Sequence, residues 1–171
     1  MTTSSEADRL DPAAFDQLVA RLDYPMFVVT VEAGGTQAGC LVGFATQASI
    51  DPARFLVCLS TANHTYAVAR DAAHLAIHVL RADDVPTAHL FGELTGDDVD
   101  KFARCAWRKG PHGLPILDAA AAWFTGTVVD RHPFGDHVGF LVEPDAGEVR
   151  AGAHALLTFR NVTDLDAGHD A

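Results

Sequence analysis

Basic residues are scarce in this sequence. Lys and Arg together number 12 of 171 residues, against 23 Asp and Glu, and the formal net charge is −11. A chain with this balance repels phosphate backbones and anionic membrane surfaces. We therefore expect no DNA, RNA or membrane partner, although the overall charge leaves room for one local cationic pocket.

Cysteine is also scarce. Cys40, Cys58 and Cys105 are odd in number, lie singly in apolar or mixed segments and form no CxxC pair. Buried free thiols in a reducing compartment are favoured over a redox or metal role. The N-terminal stretch MTTSSEADRLD lacks the basic and apolar blocks of a signal peptide, and no apolar run approaches the ~18 residues of a membrane span. These features predict a soluble, cytoplasmic protein.

Several common catalytic motifs are missing. The chain has no GxGxxG after a strand, no Walker loop, no HExxH and no GxSxG. The spacings of its nine histidines match no metal-ligand pattern, and His74 and His78 share a predicted strand without an obvious carboxylate partner. We therefore expect no metal site, with histidines that are exposed or singly hydrogen-bonded.

Apolar residues are plentiful, at 49% of the chain, so one domain with a substantial core is expected. We assign residues 11–163 to this domain, residues 1–10 to a flexible arm and residues 164–171 to a flexible tail. No internal repeat, low-complexity tract or long linker divides the chain.

The order of predicted elements favours an antiparallel barrel. A helix capped by Asp11 is predicted in DPAAFDQLVARL, with Phe15, Leu18, Val19 and Leu22 on its apolar face. Two strands then flank a hairpin turn at EAGGTQ, and RFLVCLS and HLAIHVL form further strands around a helix in NHTYAVARDA. Residues 83–104 read as helical, interrupted at LTGDD, with Asp97 or Asp98 as a cap for the second half.

The last third of the chain predicts a loop in KGPHGLPILDAA, followed by two long strands, AAWFTGTVVDRH and DHVGFLVEPDAGEVR, joined at PFG. Hairpin-connected strands dominate over βαβ alternation. The fold class is therefore predicted as mainly β, an antiparallel barrel with peripheral helices.

One apolar strand has an unexpected polar ending. GCLVGFATQASIDP begins as a buried strand and then turns to Thr46, Gln47 and Ser49 before Asp51-Pro52. The longer segment AGCLVGFATQASIDPARFLVCLSTANHTY resembles the flavin reductase-like, FMN-binding split-barrel family. The resemblance extends to Lys101-Phe102, to GLPIL at residues 113–117 and to the GDH turn at residues 135–137, and it covers roughly residues 22–162.

The resemblance implies a split β-barrel that binds FMN, with FAD or a deazaflavin as open alternatives, and uses NAD(P)H as co-substrate. It implies an NAD(P)H:flavin oxidoreductase, or the reductase component that supplies a two-component monooxygenase partner. Family members are typically homodimers with the flavin at the subunit junction. A non-catalytic flavin carrier or electron-transfer protein is the alternative, and a flavin-free binding or sensor domain is a third.

The resemblance also implies the site residues. The isoalloxazine ring would lie on a strand whose free backbone groups and apolar side chains both face it: Leu41, Val42, Gly43, Phe44 and Ala45. The ribityl chain and phosphate would be bound by polar side chains and loop amides of Thr46, Gln47, Ser49, Ser60, Asn63, His64 and Thr65. Lys101 is a further predicted cofactor-binding residue.

Each of these assignments has an ordinary structural alternative. Thr46, Gln47 and Ser49 are also typical turn residues, and STANH is also a typical helix cap. Many relatives carry Thr and Ser where this chain has Leu41, Gly43 and Phe44, so backbone bonds would replace side-chain bonds to the ring.

His137 is the predicted catalytic residue, because an imidazole beside flavin and nicotinamide can orient the ring or donate to developing charge. Asp136 would hold the tautomer of His137. The alternative is a Gly-Asp turn followed by a surface histidine.

Overall fold

The computed structural model describes residues 9–152 and 155–166. Most of the predicted arm and tail, residues 1–8 and 167–171, therefore lies outside the described residues. The strands are β1 (Phe27–Ala33), β2 (Thr36–Val42), β3 (Ala45–Ser49), β4 (Arg54–Ser60), β5 (His74–Val79), β6 (Trp107–Lys109), β7 (Pro115–Leu117), β8 (Ala122–Pro133) and β9 (His137–Val149). The helices are α1 (Pro12–Val19), α2 (His64–Ala69) and α3 (Val85–Gly92), with 3-10 turns at Lys101–Arg104, Pro111–Gly113 and Phe159–Asn161.

Seven strands form one antiparallel sheet in the order β2-β1-β5-β8-β9-β4-β3. The two edge strands, β2 and β3, are consecutive in the chain and are separated only by Gly43 and Phe44. Because two residues cannot cross a flat seven-stranded sheet, the sheet must curl until its edges approach. At the junction the Cys58 amide donates to the Phe44 carbonyl at 2.9 Å. The predicted antiparallel barrel is confirmed.

Apolar residues on both faces of the barrel wall are buried. Phe27, Val29 and Val31 of β1 point into the barrel, where they pack in one core cluster with residues of β2, β4, β5 and β9. The alternate residue Val28 points outward and packs with residues of α3 and the C-terminal segment, including Phe91 and Leu157. The helix α3 and the C-terminal segment thus cover part of the outside of the barrel, and alternate residues of β1 face opposite sides because a strand has a period of two.

The predicted hairpin between β1 and β2 is confirmed. Gly34 and Gly35 both adopt positive φ angles, 60° and 82°, which glycine reaches without steric cost. Their turn sets the register that pairs Ala33 with Thr36 and Phe27 with Val42.

The prediction for residues 83–104 was partly wrong. The helix α3 ends at Gly92, and the expected second half is only the turn Lys101–Arg104. Its cap is Asp100, whose carboxylate accepts from the amides of Phe102 and Ala103, so neither Asp97 nor Asp98 has this role. The helical spacing of apolar residues was misleading here. Phe102 packs in the cluster of Val28 and Phe91 outside the barrel, but it does so from a single turn rather than from a helix face.

The loop prediction for KGPHGLPILDAA was also partly wrong. Pro115–Leu117 forms β7, which pairs with β6. The Leu114 and Ile116 side chains are buried over Ala76 of β5 and beside Trp123 of β8. A short hairpin supplies hydrogen bonds for backbone that is buried in this way, and the Pro115 carbonyl accepts from the Thr30 hydroxyl at 2.6 Å.

The first helix begins where the sequence predicts. The Asp11 carboxylate accepts from the Ala13 amide at 3.0 Å and caps α1, which ends at Val19. Its predicted apolar face, however, is more than half exposed at Phe15, Leu18 and Leu22 among the described residues.

His78 is a buried imidazole on β5. Its Nδ1 donates to the Val28 carbonyl at 3.0 Å, while its Nε2 is buried with no hydrogen-bond partner among the described residues. Burial lowers the pKa of His78 to about 4, because the charged ring would lose its hydration; the nearby Arg108 charge adds to this.

This buried histidine predicts acid sensitivity. The unfolded chain binds a proton near pH 6.5 but the folded chain only near pH 4, so stability is lost as pH falls through this interval. The His78→Leu variant should lose less unfolding free energy than the wild type between pH 7 and 4.5, by roughly 2 kcal/mol. Urea denaturation at both pH values measures this difference, and His89→Gln, which removes a half-buried histidine, is the control. Equal pH dependence in wild type and His78→Leu would contradict the prediction.

Candidate active site

A cleft opens on the outside of the barrel where the end of β2 meets the end of β4. It has a volume of about 380 Å³. It is lined by the last residues of β2, from Cys40 to Val42, and by the segment that begins at Ser60, and the space between them is open. The full lining comprises Tyr24, Met26, Cys40, Leu41, Val42, Gly43, Phe44, Cys58, Leu59, Ser60, Asn63, His137 and Phe159.

An aromatic pair forms one wall of the cleft. The rings of Tyr24 and Phe159 stack with centroids 5.0 Å apart and an interplanar angle of 17°. The Phe159 amide donates to the Tyr24 carbonyl at 2.9 Å, which fixes the C-terminal segment beside the start of β1. A Cβ on Gly43 would lie 2.5 Å from Tyr24 Cε2, so glycine is what allows the ring to pack against this strand.

Phe44 and His137 form a second aromatic contact in the cleft lining. Their ring centroids are 5.1 Å apart, and 54% of Phe44 is exposed. His137 Nδ1 donates to the Asp136 carboxylate at 2.9 Å, so Nε2 is the ring nitrogen free for another partner. The same hydrogen bond lowers the pKa of Asp136.

The loop after β4 is tied to the turn between β8 and β9. Ser60 lies opposite His137 in the strand pairing. The Thr61 amide and hydroxyl both donate to the Asp136 carbonyl, at 2.9 and 3.1 Å. Asn63 caps α2, since its side-chain oxygen accepts from the Thr65 amide at 2.8 Å. The loop and His137 therefore hold fixed positions relative to one another.

Residues 19–165 match the family described as "Flavin reductase like domain". The chain belongs to this family. FMN reductase (NADH) RutF of Methylorubrum extorquens is 30% identical over 155 residues, which cover 91% of this chain and 75% of that protein. The reductase component of 4-nitrophenol 4-monooxygenase/4-nitrocatechol 2-monooxygenase from Rhodococcus opacus is 34% identical over 150 residues, covering 88% of this chain and 78% of that protein.

A solved structure agrees with the family assignment at the level of fold. The NADH:FAD oxidoreductase of Streptomyces globisporus superposes with a TM-score of 0.80 at 24% identity, covering 91% of this chain and 94% of that one. The predicted flavin reductase-like split barrel is therefore confirmed as the fold.

The structure brings seven of the residues predicted for the flavin reductase site into the cleft. They are Leu41, Val42, Gly43, Phe44, Ser60, Asn63 and His137. Asp136 adjoins the cleft through its bond to His137.

The polar residues of β3 do not line this cleft. Thr46 and Gln47 are exposed, Ala45 and Ser49 are half-buried, and the Gln47 side chain donates to the Ser49 carbonyl at 3.2 Å. All three polar residues lie within β3 and pair with β4, with a shift of register between Gln47 and Ser49.

Lys101, His64 and Thr65 also lie outside the cleft. Lys101 is 5% exposed, and its ammonium donates to the carbonyls of Gly39 at 2.9 Å and Phe91 at 3.3 Å; burial lowers its pKa. His64 Nδ1 bonds Asp97 at 2.7 Å beside a second cleft of about 360 Å³, which Lys101 also lines. Thr65 is 1% exposed.

The sequence did not identify six of the lining residues as site residues: Tyr24, Met26, Cys40, Cys58, Leu59 and Phe159. Cys58 could have been found, because a period of two along β4 places it on the same face as Ser60. No local signal pointed to Phe159, which reaches Tyr24 across 135 residues of chain only in the folded barrel.

Proposed function

We propose that this chain is an FMN-binding, NAD(P)H-dependent flavin reductase whose flavin occupies the cleft between β2 and β4. The observation that carries the proposal is that the end of β2, from Cys40, and the segment that begins at Ser60 meet around an open space. Its volume of about 380 Å³ falls within the range of small-molecule sites. Its walls are mostly apolar and aromatic, with hydroxyl and amide groups at one end.

The residues present fit a flavin by their chemistry. Leu41, Gly43 and the Tyr24–Phe159 pair offer flat apolar surface, and the backbone of edge strand β2 offers hydrogen-bonding groups beside it. Ser60 and Asn63 would serve the polar chain of the cofactor. A flavin bound there supplies the acceptor for a hydride from the reduced nicotinamide, which needs no strong acid or base from the protein.

His137 would orient the reactants at the rim of the cleft. Its Nδ1 donates to the Asp136 carboxylate, which fixes the tautomer and leaves Nε2 available to the reactants. A ring held in one tautomer and against Phe44 needs no reorganisation when the nicotinamide arrives.

The named relatives support NADH as the donor and a monooxygenase as the partner that consumes reduced flavin. RutF is named an FMN reductase (NADH), and the Rhodococcus protein is named a monooxygenase reductase component. For this chain both remain part of the proposal, with NADPH, FAD and a deazaflavin as the alternatives to be measured.

A non-catalytic flavin carrier is the second candidate. It is favoured by Leu41, Gly43 and Phe44, which offer no side-chain hydrogen bonds to the ring and would change its affinity and potential. The ammonium of Lys101 already donates to the carbonyls of Gly39 and Phe91, so it offers the flavin no free positive charge in this structure.

Spectroscopy and turnover separate the candidates. The purified protein should show flavin absorbance, as isolated or after FMN is added, and should oxidise NADH in proportion to added flavin. NADH and NADPH, and FMN, FAD and a deazaflavin, are compared in one assay. Tight FMN binding without nicotinamide oxidation would favour the carrier, and no flavin binding would exclude both functions.

The assigned role of His137 predicts a selective loss. His137→Ala should lower kcat/KM for NADH by at least about tenfold, since a positioned ring at a reacting centre contributes on this order. The dissociation constant for FMN should change by less, because the cleft walls remain. Stopped-flow reduction and fluorescence titration measure the two effects.

Two further variants complete the His137 test. Asp136→Asn keeps a hydrogen-bond acceptor for His137 but removes the charge, and we expect an intermediate loss. Exposed His132→Ala, on the same hairpin, should behave as wild type. Equal losses in reduction and binding, or no loss, would contradict the role.

We further propose a cytoplasmic homodimer that covers the cleft. The free thiols of Cys40, Cys58 and Cys105 suit a reducing compartment, and no described helix is both long and apolar enough to cross a membrane.

The proposed dimer surface is apolar: Phe44 and Phe134 are 54% and 59% exposed. Phe134 packs over Gly139 beside Leu56, so apolar surface continues from the cleft along the outer face of β4.

A charge on this surface should weaken the dimer. Phe134→Asp is expected to raise the dimer dissociation constant at least about tenfold, because an unpaired carboxylate would have to be buried on association. Light scattering over a dilution series measures the constant, with exposed Val149→Asp as the control. A monomeric wild type, or a dimer indifferent to Phe134→Asp, would contradict the proposal.

A further inference from the structure

Three potential metal ligands converge away from the cleft. His74 on β5, His112 in the turn before β7 and Asp145 on β9 each offer a ligand atom, and these atoms all lie within 4.8 Å of one another. His112 Nε2 is 2.8 Å from Asp145 Oδ2. The imidazoles of His74 and His112 stack with centroids 3.7 Å apart and planes 6° from parallel.

Two departures from regular backbone aim these side chains at each other. His112 has φ 57°, a left-handed conformation that costs a histidine energy. Asp145 is the extra residue of a β-bulge, because Gly126 pairs with Pro144 while the next register pair is Thr125 with Ala146. Bulges re-aim a side chain and are frequent beside functional sites.

A buried hydroxyl also holds the Asp145 carboxylate in position. Thr125, fully buried on β8, donates its hydroxyl to Asp145 Oδ1 at 2.6 Å. This bond occupies one oxygen and directs the other, Oδ2, toward the imidazoles. Such support for a ligating carboxylate is a regular feature of metal sites.

We propose that His74, His112 and Asp145 form a binding site for a divalent first-row transition ion such as Zn²⁺. Two imidazole nitrogens and one carboxylate oxygen suit these borderline ions, whereas Mg²⁺ and Ca²⁺ prefer oxygen ligands alone. Three protein ligands leave a coordination position for water. On binding, the two rings would rotate out of their stack, and the His112 proton would move from Nε2 to Nδ1, so that His112 Nε2 and Asp145 Oδ2 ligate the ion in place of their mutual hydrogen bond.

The protonation states of the site favour a cation. Burial and the neighbouring His112 both lower the pKa of His74. Burial alone would raise the pKa of Asp145, but hydrogen bonds from Thr125 and His112 outweigh it and lower the pKa. A net charge of −11 further favours cation binding.

The site is separate from the proposed flavin cleft. Asp145 and His137 lie on the same strand, eight residues apart, which corresponds to roughly 25 Å of extended chain. An ion at this site would join β5, β9 and the turn at Pro111–Gly113, three segments that are distant in sequence. Its predicted effect is on stability, through preferential binding to the folded chain.

Calorimetric titration of the tag-free full chain with Zn²⁺ tests the site. The wild type should bind one ion per chain at this site, and His74→Gln and Asp145→Asn should each weaken that binding at least about tenfold. His89→Gln is the matched control. His89 and Glu93 are also a bonded pair at 2.9 Å, with 33% and 34% side-chain exposure against 33% and 31% for His112 and Asp145, but the described part of the chain gives them no third ligand. The control should bind Zn²⁺ as the wild type does.

Thermal melting gives a second readout. Zn²⁺ should raise the Tm of the wild type and of His89→Gln, while the His74 and Asp145 variants respond much less and Mg²⁺ has no comparable effect. If a variant fails to fold, His112→Asn replaces it, because asparagine tolerates the left-handed backbone. Histidine ¹⁵N shifts that move only at His74 and His112 would identify the ligands. Zn²⁺ binding that is absent, unchanged in the variants or matched by Mg²⁺ would overturn the proposal.

Discussion

The two-residue connection between β2 and β3 is the constraint on which the rest of the structure depends. Gly43 and Phe44 join opposite edges of a seven-stranded sheet, so the sheet must curve strongly until these edges approach each other. Closure carries the end of β2 to the end of β4 and leaves a cleft outside the wall. Gly43 has a second role there, because only a residue without a Cβ lets the Tyr24 ring pack against the junction.

The long hairpin of β8 and β9 connects the cleft to the cluster of His74, His112 and Asp145. β9 pairs with β4 through residues 137–142 and continues beside β8 through residue 149, so one strand carries both His137 at the cleft and Asp145 at its bulge. The rigidity of the barrel wall fixes each side chain against partners from other strands. The cleft and the cluster of His74, His112 and Asp145 thus lie at separate places on the same scaffold.

Much of the fold could be predicted from local patterns. Alternating apolar residues marked β1, β4, β5 and the hairpin of β8 and β9, paired glycines marked the first turn, and Asp11 marked the start of α1. Prediction failed at the segment after α3 and at β7, where the same apolar spacing fits a helix, a turn or a short strand. There the choice was made by burial against the outer wall, as with Ile116 over β5, which a single segment does not encode.

For the site, the sequence alone determined the residue types and the order of the flavin reductase motifs, because strand periodicity, turn chemistry and capping act over a few neighbouring residues. It could not determine which of those residues share a surface. Only the curvature of the barrel separated Leu41, Ser60 and His137, which line the cleft, from Thr46 and Gln47, which are exposed away from it. Tertiary packing also brought Phe159 to Tyr24 and His112 to His74 and Asp145. Such contacts depend on the curvature and register of the whole sheet, which no local pattern contains.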